Sequence, residues 1–243
     1  VLLSGCASFD AENPHANRQR KAELWILDKS YRQPPTRLGT KCSEGPAVSR
    51  KNMKIAWTIA AVQYPETMEE GQYRFYMADI VYNDGKPELV NKKKILDNKK
   101  DVEFVDMEVQ NFIPPAETSI IFSAYQFQGT EVMKLDLETG EVKNMSNAPG
   151  QYDEPEGIYP DGKYTLVECD RETGAVDIYR LRLDGTGDDL VRMTNFSDYE
   201  GYKSSNPVVS DDGKYMAFQM ARSTDLAGIG YGIFIMDLGK AGK

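Results

Sequence analysis

The stretch Asn206–Leu238, NPVVSDDGKYMAFQMARSTDLAGIGYGIFIMDL, decides how the rest of the chain is read. Two short apolar runs flank Ser210-Asp211-Asp212-Gly213, a tight turn in which glycine supplies the positive φ that a hairpin needs. A loop runs from Arg222 to Tyr231, and a third apolar run, Gly232–Leu238, follows it. No segment between these turn signals sustains apolar spacing at i, i+3 and i+4, so the pattern predicts strands and not helices.

Weaker copies of the same phrase recur upstream. Their second strands fall at Ile55-Ala56-Trp57, Ile120-Ile121-Phe122, Thr165-Leu166-Val167 and Met216-Ala217-Phe218, at uneven intervals of about fifty residues. Each copy has one grammar. A first strand ends in a tight turn (Ser49–Asn52, Pro114–Glu117, Tyr159–Gly162, Ser210–Gly213) and a second strand returns. After a variable loop comes a third strand (Glu23–Asp28, Tyr73–Tyr82, Glu131–Leu137, Val176–Leu183, Gly232–Leu238), then another tight turn and a short polar fourth strand. Variable loops at this period fit a propeller better than a solenoid. The expected fold is therefore an all-β propeller of four-stranded antiparallel blades, four to five of them visible. It is expected to be a single domain over 1–243, with a partial blade at 1–40, blades at about 41–97, 98–147 and 148–195, and a last blade at 196–243.

Composition narrows the function classes. The 243 residues are 40% hydrophobic, so a core can form and wholesale disorder is excluded. A net charge of -9 argues against nucleic acid, whose phosphates need a basic footprint. The basic run Asn91–Lys100 reads as protection of an outermost strand rather than as an anion site. The three cysteines, Cys6, Cys42 and Cys169, form no CxxC pair and leave any disulfide undecided; with one histidine, His15, neither a zinc site nor a Ser-His-Asp triad is expected. Gly228–Gly232 precedes no helix and is no phosphate loop, and no G-x-S-x-G elbow occurs. No catalytic residue, cofactor or metal is expected, and no apolar run is long enough for a transmembrane helix.

The N-terminus has two readings. Leu3-Ser4-Gly5-Cys6 has the form of a bacterial lipobox, which would place a lipid anchor on Cys6. The repeat register instead makes Val1–Ser8 the second strand of a blade whose first strand is missing, because it stands before Glu23–Asp28 as Met216–Ala221 stands before Gly232–Asp237. The register favours the strand, and with it an N-terminally truncated propeller.

Ser210-Asp211-Asp212-Gly213-Lys214-Tyr215-Met216-Ala217-Phe218 resembles the core of the WD40-like (PD40) repeats of TolB-type β-propellers. Glu156–Leu166 and Glu44–Trp57 are further copies, the latter without its Asp-Gly turn, and Asp177–Gly185 is similar to the family's third strand with its closing turn. The unit around Phe112–Phe122 departs most, with Pro114-Pro115 where Asp-Gly belongs. The resemblance covers nearly the whole chain, but its motifs are structural. It implies six or seven blades in the intact fold, a periplasmic or envelope location, and protein partners.

Alternating strands put the tight turns on one face and the long loops on the other, and functional residues concentrate on variable loops held by a rigid scaffold. The candidate binding surface is that long-loop face, around the mouth of the central channel: Glu44, Tyr64, Tyr152, Asp153, Glu154, Glu156, Tyr199, Tyr202, Asn206, Arg222 and Tyr231. Tyrosines there suit a protein partner or a stacked glycan, or else pin loops to the scaffold. Glu44, Glu154, Glu156 and Asn206, just before the first strands, either converge on a cation through oxygen ligands or are simply solvated. The expected function is a non-catalytic ligand- or protein-binding propeller of the bacterial envelope. The alternative is a carbohydrate-active or peptidase-associated propeller, as enzyme or accessory domain.

Overall fold

The computed structural model describes residues 2–7, 22–28, 34–225 and 230–240, and the side chains of all of these except 2–7 and 28. Among the described residues the secondary structure is all β apart from one 3-10 turn at Phe196–Asp198. Its strands are β1 (Leu2–Ala7), β2 (Ala22–Asp28), β3 (Thr36–Cys42), β4 (Glu44–Val48), β5 (Lys54–Ala60), β6 (Tyr73–Asn83) and β7 (Lys86–Asp97). They continue with β8 (Asp106–Phe112), β9 (Ser119–Tyr125), β10 (Thr130–Asp136), β11 (Val142–Asn144), β12 (Asp153–Ile158), β13 (Tyr164–Cys169), β14 (Asp177–Arg182) and β15 (Leu190–Arg192). The last are β16 (Tyr202–Val209), β17 (Tyr215–Arg222) and β18 (Gly232–Asp237).

Among the described residues these make five antiparallel meanders, in the orders β1-β2-β3, β4-β5-β6-β7, β11-β10-β9-β8, β12-β13-β14-β15 and β16-β17-β18. Each is the blade-like sheet that the repeat predicts. Leu2–Ala7 pairs with Ala22–Asp28 from Leu2↔Asp28 to Ala7↔Glu23, so the segment with lipobox form is a strand in the repeat register.

Two compact units divide the chain: Val1–Phe112 with Leu137–Gly140, and Ile113–Asp136 with Glu141–Lys243. In the first, Leu24, Ile26, Ile55, Trp57, Ile59, Ala78 and Ile80 form the core. The second has two clusters, one around Ile121, Val132, Val167 and Leu181, the other around Leu166, Ile178, Val209, Met216 and Phe218. Alternation along a strand lets a central strand such as β13 bury both faces, Leu166 into one cluster and Val167 into the other.

Strand boundaries differ from the sequence expectation in places. Where a long loop would join the first two sheets, only Ser43 separates them, because β3 continues to Cys42 and β4 starts at Glu44. The fourth strand of the second sheet, expected to be short, is the twelve-residue β7, which pairs with the eleven-residue β6 from Arg74↔Asp97 to Asn83↔Lys86. It is the outer strand of its sheet and Asn91–Lys94 are exposed, as edge protection requires. The run is not wholly solvated, since Lys92 Nζ lies 5.5 Å from the Trp57 ring centroid and donates to Thr40 Oγ1 at 2.6 Å.

First strands carry a further device. β4, β12 and β16 are each interrupted by a bulge, between Glu44 and Ala47, Pro155 and Ile158, and Ser205 and Val208. Gly45 and Asn206 take left-handed φ of 57° and 53° there, each ahead of a proline. A bulge re-aims the groups around it. The residues expected just before the first strands therefore lie on them.

Candidate functional site

In the first unit, Tyr64 has no surface to offer a partner. It is 2% exposed, its hydroxyl donates to the Ala22 and Cys42 carbonyls, and Lys41 Nζ lies 4.5 Å from its ring centroid. It pins a loop to the core, the second of the two roles the sequence left open for loop tyrosines. Glu44 opens β4, half-buried, in register with Thr58.

In the second unit, the long-loop ends of β12 and β13 gather most of the expected acids. Glu154 is buried and accepts from the hydroxyls of both Tyr125 and Tyr152. Burial raises its pKa, while the two phenols oppose the rise. Its cross-strand register partner is Glu168, 8% exposed. Burial first, then the like charge of Glu154, pushes the Glu168 carboxyl up to about 7, against the Asn206 N–H, which donates at 2.5 Å, and the charge of Lys203. The bulge in β16 aims that N–H; the Asn206 side chain itself is exposed. Glu156 follows on β12, partly buried.

Asp153, expected on a loop, begins β12 and is fully buried, because the strand starts where its pairing with Cys169 begins. One carboxylate oxygen accepts from Arg171 at 2.6 Å, and Arg171 Nε also reaches Cys169 Sγ at 3.1 Å. Burial drives the Cys169 thiol up to about 12, so this free cysteine stays protonated and unreactive.

The exposed part of the site is the long-loop end of the last sheet. Tyr202 opens β16, Arg222 closes β17 as its register partner, and Tyr231 precedes β18. The two tyrosine rings lie 6.0 Å apart, and Arg222 Nε donates to the Tyr231 hydroxyl at 2.8 Å. Tyr199, 69% exposed, lies beside them, its carbonyl accepting the Tyr202 N–H at 3.1 Å. Residues 226–229 of the Arg222–Tyr231 loop lie outside the described residues.

The expected residues thus separate into a buried carboxylate–tyrosine network and an exposed tyrosine–arginine cluster. Tyr125, Glu168, Lys203 and Arg171 were missed. Glu168 left a signal in the sequence, an acid inside the apolar run Thr165–Cys169. Tyr125 left none, because only folding brings it to Glu154. Among the described residues no three His, Cys, Asp or Glu side chains converge as metal ligands would. Glu154 and Glu168 are both buried, with phenol and amide donors on them, an arrangement that positions strands.

Blade-like sheets with irregular loops at one end define the class, a repeat protein with a β-propeller fold. No protein-family model matches the sequence, and no curated protein does. Among solved structures, TolB from Acinetobacter baumannii is 25% identical with a TM-score of 0.60, over 93% of this chain and 49% of that one. The putative TolB from Agrobacterium tumefaciens is 15% identical with a TM-score of 0.63, over 90% of this chain and 73% of that one. An oligogalacturonate lyase in complex with manganese has 11% identity and a TM-score of 0.56, over 91% of this chain and 59% of that one. The resemblance to TolB-type propellers carried by the repeats thus extends to the fold. The chain spans about half the length of the Acinetobacter TolB.

Proposed function

We propose that the chain is a non-catalytic binding scaffold of a bacterial envelope, which holds a protein partner at the long-loop end of its sheets. The observation that carries this reading is the exposed cluster of Tyr202, Tyr231 and Arg222, with Tyr199 beside it. Tyrosine and arginine are the residue types that dominate binding hot spots, and rings held by a neighbouring guanidinium lose little entropy on binding. The buried acids behind it keep the loop ends in place.

Similarity to TolB supports the scaffold role. A disulfide at Cys42 supports an oxidising compartment such as the periplasm. No helix among the described residues is long and apolar enough to cross a membrane. That the five sheets form part of a six- or seven-bladed propeller belongs to the same proposal. It is supported by the extra length of the Acinetobacter TolB and by the apolar face of the last sheet, where Ile233 and Ile235 are exposed. The carbohydrate-active alternative rests on fold likeness to the lyase, which carries no chemistry to this chain.

The test is a pull-down from envelope extract run beside a glycan array. The expected result is a protein partner that binds about tenfold more weakly to Tyr202→Ala, Tyr231→Ala and Arg222→Ala. Glycan binding lost in the same variants, with no protein partner recovered, would overturn it.

A further inference from the structure

At the opposite, hairpin-turn end of the second unit lies a cavity of about 400 Å³ lined by Tyr159, Arg180, Val191, Met193, Lys214 and Leu238. Its volume is in the range of small-molecule sites. Arg180 is the unusual member. Arg171, Arg182 and Arg192 of the same unit each have a carboxylate within 3.0 Å. Among the described residues Arg180 has no carboxylate partner; the Tyr164 ring packs on its guanidinium at 4.7 Å, and its buried Nε–H meets no acceptor. A desolvated donor without an acceptor is unfavourable; Arg192 Nε is another in this unit, but Arg192 already has its carboxylates, whereas Arg180 lines a cavity with room for one.

The rest of the lining says which acceptor. Lys214 is largely exposed and its Asp212 contact is loose at 3.4 Å, so it adds positive charge with little neutralisation. Burial raises the Tyr159 phenol pKa, which keeps it a neutral donor. Val191, Met193 and Leu238 supply an apolar wall. We propose that this cavity binds a small organic carboxylate, its oxygens on Arg180 and Lys214 and its apolar body against Val191, Met193 and Leu238. The planar guanidinium suits a carboxylate, which it holds through two parallel N–H donors.

The test uses benzoate as the probe and benzamide as its uncharged isostere, on the full chain. Nitrogen-15 NMR of the arginine Nε–H groups is the readout. Benzoate at millimolar concentration is expected to shift the Arg180 resonance in a saturable way, and benzamide is not. Lys214→Met, a change at an exposed side chain, is expected to weaken benzoate about tenfold. Arg180→Met is expected to abolish binding, with the Arg182 and Arg192 resonances reporting that the sheet is intact. An unmoved Arg180 resonance, an equal response to benzamide, or unchanged affinity in Lys214→Met would each overturn the proposal.

Discussion

Glu168 shows what one residue can do when packing removes its water. The unfolded chain gives up this proton near the ordinary glutamate value of 4.5, while the folded chain keeps it up to about 7. Between those values the folded state binds more protons, so stability falls as pH rises and levels off above about 7. The full effect is on the order of 3 kcal/mol. Urea unfolding from about pH 5 to about pH 8 is expected to show that decline, and Glu168→Gln is expected to flatten it by replacing the titrating carboxyl with a neutral amide. A slope unchanged in the variant would assign the pH dependence to other groups. Residues of one type also part company here. Tyr64 and Tyr202 both read as loop tyrosines, yet one is spent on backbone carbonyls and the other faces solvent. The turn glycines Gly140 and Gly162 both need positive φ, but a Cβ on Gly140 would meet open space and one on Gly162 would lie 1.7 Å from the Pro114 carbonyl oxygen.

At the scale of the element, two third strands, β10 and β14, carry near their start an acid that clasps the segment after the fourth strand. Glu131, near the start of β10, accepts from Ser146 Oγ and from the Ala148 N–H at 3.1 Å. Asp177, at the start of β14, accepts from Arg192 at 2.6 Å, from Thr194, Ser197 and Ser204 hydroxyls, and from the N–H groups of Phe196 and Ser197. These bonds hold the Asp177 carboxyl below its usual value against the burial that would raise it. Asp177→Ala leaves Arg192 without its buried partner and is expected to cost about 3–5 kcal/mol. Glu172, the exposed partner of Arg192 at 2.8 Å, is expected to cost under about 1 kcal/mol when changed to Ala. Urea midpoints of the two variants check the contrast; equal losses would remove the clasp from the stability account. The acid itself was legible in the sequence, at or beside the start of two third-strand runs, Glu131 and Asp177. Its role was not, because its acceptor bonds reach some twenty residues onward to a loop with no shared motif.

For the whole molecule, Cys42 is a covalent restraint in the core of the first unit, whereas Cys169 is a free thiol in the second. Reductant is expected to lower stability by about 2–4 kcal/mol, and Cys42→Ser to carry that loss and respond no further. A melting temperature indifferent to reductant in the unaltered chain would contradict the restraint. The sequence by itself determined the order of strands, the meander and the end of each sheet on which long loops gather. Turn chemistry and period-two alternation are local, so they survive without knowledge of any neighbour. The tertiary structure alone decided that Glu154 and Glu168 are buried on tyrosine and amide donors, that Tyr202, Arg222 and Tyr231 meet in the open, and that Arg180 lines a cavity. Burial and charge partnership depend on which sheet packs against which, and no single repeat encodes that.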